Sequence, residues 1–101
     1  MNAARPAYLI VQVEIHDAEG MAPYRVGVEA TLQAFGGVRL ASDPAPQAVE
    51  GEAPRGMVVL LRFPSLEAAH AWHASPAYQA LLPHRLASSS SRLHLIEGLP
   101  A

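Results

Sequence analysis

Phe63-Pro64-Ser65-Leu66-Glu67-Ala68-Ala69-His70-Ala71-Trp72-His73-Ala74-Ser75-Pro76-Ala77-Tyr78-Gln79-Ala80-Leu81 runs a strand end, a capped helix and a second capped turn together without a break. Ser65 after Pro64 is an N-cap, its side-chain oxygen taking an otherwise orphaned N–H, and Glu67 lies in the first turn, where the helix dipole favours an anion. Leu66, Ala69 and Trp72 fall on one stripe of that helix, with His73 at its margin and His70 further round. Ser75-Pro76 repeats the cap-plus-proline signal, which predicts a new helical segment carrying Tyr78, Leu81 and Leu82 as far as Pro83.

Immediately before it, Gly56 to Phe63 is so continuously apolar that it reads as a central strand. Near the start, Ala7 to Ile15 alternates: Leu9, Val11, Val13 and Ile15 share one face, and Tyr8, Ile10, Gln12 and Glu14 the other. Asp17 to Met21 reads as a turn. Pro23 fits the first position of a helix that ends near Phe35, with Gly36-Gly37 supplying a left-handed terminator. Met21, Tyr24, Val28, Thr31, Leu32 and Phe35 are its sheet-facing side. Val38 to Ser42 and Gln47 to Glu50 are expected to be short extended pieces, placed at an edge because Pro44 and Pro46 cannot donate to a central ladder. Ser88 to Ser91 reads as a loop, and Arg92 to Glu97 as the last strand.

The order is therefore βαββαβ: an α+β, ferredoxin-like sandwich with one four-stranded antiparallel sheet and its helices on one face. A chain of 101 residues, half of them apolar, suits one domain, with a core from about residue 7 to 98. Two helices cover only one face of the sheet. The other still presents Tyr8, Ile10, Val58 and Leu60, and an apolar patch of that kind marks an interface. A homodimer with sheet facing sheet is the expected assembly. Burying on the order of 500 Å² of apolar surface per chain would stabilise it by roughly 12 kcal/mol before association costs.

Several classes are excluded or disfavoured. A net charge of −2 with no cluster of Lys or Arg gives no footprint for nucleic acid. No apolar run approaches the roughly 20 residues that span a bilayer, and a signal-peptide pattern is missing, so a soluble, unprocessed chain is expected. The lack of cysteine excludes disulfides and thiolate metal sites and makes the cytoplasm the default setting. His70 and His73, three apart, with His84 as a conceivable third ligand, lack the neighbouring Glu of a zinc hydrolase helix, so no metal is expected. No phosphate-binding glycine loop, dinucleotide fingerprint or Ser-His-Asp arrangement is present, and no cofactor is expected.

A set of short pieces resembles one family, DUF1330, within the dimeric α+β barrel superfamily: Ala7-Tyr8, Asp17 to Tyr24, Phe35-Gly36-Gly37, Val58 to Phe63, Pro64-Ser65, Ala68-Ala69, Ala71-Trp72, Ser75-Pro76, Tyr78-Gln79-Ala80-Leu81, Arg85, Arg92 and Glu97-Gly98. The resemblance covers nearly everything from Ala7 to Gly98 and implies a ferredoxin-like subunit pairing into a β-barrel dimer, with no established activity for most members. The chain departs from the pattern at Asp17-Ala18-Glu19-Gly20-Met21-Ala22-Pro23-Tyr24, which lacks a first tyrosine, at Ser42 to Pro46, which replaces a glycine-rich hairpin, and at His73, where a tyrosine is common.

Related folds hold small molecules between sheet and helices, and Tyr24, Trp72 and Tyr78 are the candidate ligand-binding residues for such a cleft. His73, whose unperturbed pKa lies near neutrality, is the candidate general acid/base, with Arg85 or Arg92 to stabilise an enolate or carboxylate. The plainer account makes Trp72 and the tyrosines core, His73 a half-exposed packing residue, and Glu14 with Arg92 an ion pair. A small-molecule-binding homodimer leads. A cofactor-independent isomerase or monooxygenase acting on a small enolisable carbonyl compound, and a structural protein-interaction domain, are the alternatives.

Overall fold

In the computed structural model, which describes residues 5–100, strand β1 covers Ala7–Ile15, helix α1 Ala18–Gln33, β2 Val38–Asp43, β3 Met57–Phe63, α2 Leu66–Ala74, α3 Pro76–Ser88 and β4 Ser89–Glu97. The sheet order is β2-β3-β1-β4, and every neighbouring pair is antiparallel. This is the expected ferredoxin-like sandwich, the last helical stretch being divided into α2 and α3 at Ser75.

Ser75 makes that division. Its hydroxyl donates to the Trp72 carbonyl (2.7 Å) and accepts from the Tyr78 N–H (3.3 Å), so one side chain closes α2 and caps α3. Ser65 caps α2 in the same way, accepting from Ala68 N–H at 3.1 Å. Leu9, Val11 and Val13 of β1 and Val59, Leu61 and Phe63 of β3 meet Val28, Leu32, Ala69, Trp72 and Tyr78 from the helices in one core. The Trp72 indole N–H donates to Thr31 Oγ1 at 3.0 Å, and the Thr31 hydroxyl donates to the Val28 carbonyl at 2.6 Å, so the buried ring nitrogen has its partner.

Four boundaries differ from the expectation, each for a local reason. Helix α1 begins at Ala18, because Asp17 caps it by accepting from Gly20 N–H (3.1 Å). Pro23 thus lies inside the helix, on its exposed side, and Glu19, whose carbonyl loses its N–H partner, is likewise an exposed residue. Pro83 is accommodated likewise inside α3, which continues to Ser88. The serine run is no loop: Ser88 ends α3 and Ser89 to Ser91 open β4, opposite Ile15, Glu14 and Val13. Main-chain pairing holds them, so apolar side chains are not needed there. Gln47 to Glu50 is not extended sheet but part of a long loop after Asp43, where no strand lies alongside. Gly36, at φ 74°, ends the first helical segment as expected.

The face away from the helices is built of cross-strand rungs. Tyr8 lies between Arg62 and Ile96, Ile10 between Leu60 and His94, and Gln12 between Val58 and Arg92. Tyr8, Ile10, Val58 and Leu60 are half-buried, although no helix among the described residues covers that face. Glu14 and Arg92 occupy the same face but not the same rung. Glu14 faces Ser90, Arg92 faces Gln12, and the Glu14 carboxylate lies 3.9 Å from His16 Nε2 instead, so the expected ion pair does not form.

Candidate functional site

The helix face of the sheet is not fully covered. Between α1 and strands β1, β2 and β3 lies a cleft of about 340 Å³, walled by apolar side chains that include Val11, Val13, Met21, Val28, Val59 and Leu61. That volume is at the lower end of sites that enclose drug-sized molecules, about 300–1,000 Å³. The polar contributions come from Tyr24, Arg25, Arg39 and Ser42. The β2 register places the last two. Arg39 pairs with Leu61, whose side chain is in the core, and a bulge at Leu40 then shifts the alternation so that Ser42, not Ala41, joins the same face. Arg39 Nε lies 3.3 Å from Glu29 Oε1 on α1, and Arg25 donates to the Ala18 carbonyl at 3.3 Å. Among the described residues, no carboxylate lines the cleft.

Tyr24 connects this cleft to a buried polar cluster. Its hydroxyl is 2.9 Å from that of Tyr78, and the two rings meet edge to face at 5.9 Å. The Arg85 guanidinium lies 5.7 Å from the centre of the Tyr24 ring, and its Nη1 donates to Ser91 Oγ. Arg85 is only 5 % exposed, its Nε has no hydrogen-bond partner, and no carboxylate pairs with it among the described residues. Burial holds the Tyr24 phenol well above the ordinary tyrosine range, and the Arg85 guanidinium opposes the shift without cancelling it. Tyr24 is therefore a neutral hydrogen-bonding group at physiological pH, not a base.

Of the residues singled out from the sequence, the structure gathers Tyr24, Tyr78 and Arg85 into this cluster. Trp72 stacks against Tyr78 with ring centres 4.1 Å apart but is sealed in the core, and neither residue lines the cleft. His73 is on the exposed surface of α2, its ring 5.3 Å from that of Tyr78 and outside the cleft lining. Arg92 is on the open face of the sheet. There it borders a second, polar recess of about 550 Å³ with Gln12, Glu14, Glu52, Arg55 and Ser90. Among the described residues, no three His, Cys, Asp or Glu side chains converge as a metal site would require. Arg25, Arg39 and Ser42 were not singled out. Simple alternation along β2 points Arg39 toward the helices, whereas Ser42 depends on a bulge that has no signature in the sequence.

One antiparallel sheet with helices on a single face and a cleft under α1 defines a ferredoxin-like α+β sandwich. Residues 6–99 match the model of a domain of unknown function, DUF1330. The chain belongs to that family. Among solved structures it is similar to RPA0582, a protein of unknown function from Rhodopseudomonas palustris, with a TM-score of 0.80 at 19% identity over 99% of this chain and 87% of that one. It is also similar to SnoaB, a cofactor-independent oxygenase from Streptomyces nogalater, with a TM-score of 0.58 at 16% identity over 98% of this chain and 97% of that one. HapK from Hahella chejuensis gives a TM-score of 0.60 at 15% identity over 94% of each chain. At such identities the likeness is one of fold. No curated protein matches the chain.

Proposed function

We propose that this DUF1330 domain is a cytoplasmic homodimer whose subunits each bind a small organic molecule in the cleft between α1 and the sheet. The observation that carries the reading is the cleft itself: about 340 Å³ of space walled mainly by apolar side chains, with a phenol and two guanidinium groups among its lining. An apolar enclosure with a few polar groups is the ordinary form of a small-molecule site. The two halves of the proposal support each other physically, because a second copy on the open face would leave the helix side of both subunits accessible. Ile10, Leu60 and Val58 at the centre of the open face are the apolar surface such a copy would bury. A chain without cysteine suits a reducing compartment.

Catalysis is the second reading, supported by the fold likeness to a protein described as a cofactor-independent oxygenase. In it His73 would be the base and Arg85 or Arg92 the anion stabiliser. His73 is exposed and outside the cleft, and Arg92 is on the other face of the sheet, so binding is the reading adopted. Native mass spectrometry of the purified protein tests it. A two-chain species carrying a small organic adduct, released on unfolding, is expected. Single chains, or pairs that neither retain nor take up any organic ligand, would overturn it.

A further inference from the structure

We infer that the ligand of the α1 cleft is an apolar organic acid whose anionic oxygen accepts a hydrogen bond from Tyr24 and is drawn by the cleft arginines; this rests on the reading of the cleft as a ligand site. Tyr78 is completely buried, and its hydroxyl has one partner, the Tyr24 oxygen at 2.9 Å. If Tyr24 donated, the Tyr78 proton would be enclosed with no acceptor, a penalty of about 1–3 kcal/mol. Tyr78 therefore donates and Tyr24 accepts, which leaves the Tyr24 proton without an acceptor among the described residues. Tyr24 is also the member of the pair that lines the cleft. Its proton is the one available to a ligand.

Charge points the same way. Among the described residues, the only ionic side chains in the cleft lining are Arg25 and Arg39. The one carboxylate paired with either is Glu29, which holds Arg39 Nε at 3.3 Å and leaves the rest of that guanidinium unengaged by any side chain among the described residues. Behind the Tyr24 ring, Arg85 is a buried cation with an unpartnered Nε and, among the described residues, no carboxylate partner. Two cations, the Tyr24 donor and the Ser42 hydroxyl thus line an otherwise apolar space, and a third cation backs it. An amine would meet repulsion there, and a neutral hydrocarbon would leave the donor unpaired. A molecule with a hydrophobic body and one carboxylate, enolate or phenolate oxygen satisfies both demands.

Calorimetric titration of the intact protein with two acids, decanoate and naphthoate, against decanol, naphthylmethanol and decyltrimethylammonium tests the inference. The acids are expected to bind at least about ten-fold more tightly than the matching alcohols, the ratio one charge-assisted hydrogen bond provides. Arg39→Gln should weaken the acids by about five-fold or more while leaving the alcohols within about two-fold, and Tyr24→Phe, which keeps the ring, should weaken the acids by about five-fold or more and the alcohols by less. Circular dichroism verifies that both variants are folded. Equal or tighter binding of the alcohols or the ammonium, or acid binding that neither substitution alters, would overturn the inference and leave the cleft as a ligand site. Failure of all five probes to bind the folded protein would count against the cleft as well.

Discussion

Replacing Leu60 with Asp should separate the two subunits of the proposed dimer without unfolding either one. Leu60 is half-buried in the single chain, at the centre of the open face between Ile10 of β1 and Ala41 of β2. In a lone subunit the change puts a carboxylate in water on a strand, a cost on the order of 1 kcal/mol from strand preference. Under a second sheet the same carboxylate would be buried without a partner, at roughly 3–5 kcal/mol. Two-fold symmetry places two of them in one interface, so association should weaken by at least about 6 kcal/mol, or about four orders of magnitude in Kd. Sedimentation velocity over a micromolar concentration series reads this directly. Val26→Asp is the matched control, since Val26 is 84% exposed on α1 and should leave the dimer intact. The reasoning is refuted if the Leu60→Asp protein remains paired within ten-fold of the unmodified Kd, or if Val26→Asp dissociates it instead.

Three other outcomes follow from single contacts. Trp72→Phe keeps an aromatic ring in the core but removes the indole N–H that donates to Thr31 Oγ1, and should cost roughly 1–2 kcal/mol in urea unfolding. Gly51 and Gly56 both have φ of 74°, yet a Cβ at Gly51 would meet nothing within 4 Å, whereas at Gly56 it would fall 2.2 Å from the Val13 carbonyl oxygen. Ala at Gly51 should therefore cost about 1–2 kcal/mol and Ala at Gly56 clearly more, the difference in unfolding midpoints measuring the clash alone. Because burial raises the Tyr24 phenol, the folded protein retains a proton that the unfolded chain loses above about pH 10. That contribution is complete below about pH 10 and falls as pH rises further, so unfolding midpoints should drop more steeply between about pH 9 and pH 11 in the unmodified protein than in Tyr24→Phe.

The architecture was legible because its signals are local. Alternation in Ala7 to Ile15, the Ser65 cap and the Ser75-Pro76 pair each report on a few neighbouring residues, and each appears where the sequence puts it. The errors arose where a local rule met an exposed backbone. Pro23 and Pro83 are carried inside their helices at exposed positions, and Glu19 and Gln79, whose carbonyls lose an N–H partner, are themselves exposed residues. Ser89 to Ser91 look like loop residues, but the strand they enter is held by the main chain of β1. The site was less legible. Helical spacing puts Tyr24, Trp72, Tyr78 and Arg85 on inward faces without saying which inward space is filled. Trp72 and Tyr78 became core, Arg85 was enclosed behind Tyr24, and Tyr24 alone of the four reached the cleft. The second polar wall of the cleft depends on the β2 bulge at Leu40, a tertiary feature.

Two recesses compete for the role of ligand site, and they lie on opposite faces of one sheet. Mapping amide shifts by two-dimensional nuclear magnetic resonance as naphthoate is added distinguishes them in one titration. The account predicts perturbations centred on Val11, Val13, Met21, Tyr24, Val28 and Val59, around the α1 cleft. Perturbations centred instead on Gln12, Glu14, Arg55, Ser90 and Arg92, with the cleft residues unmoved, would contradict it.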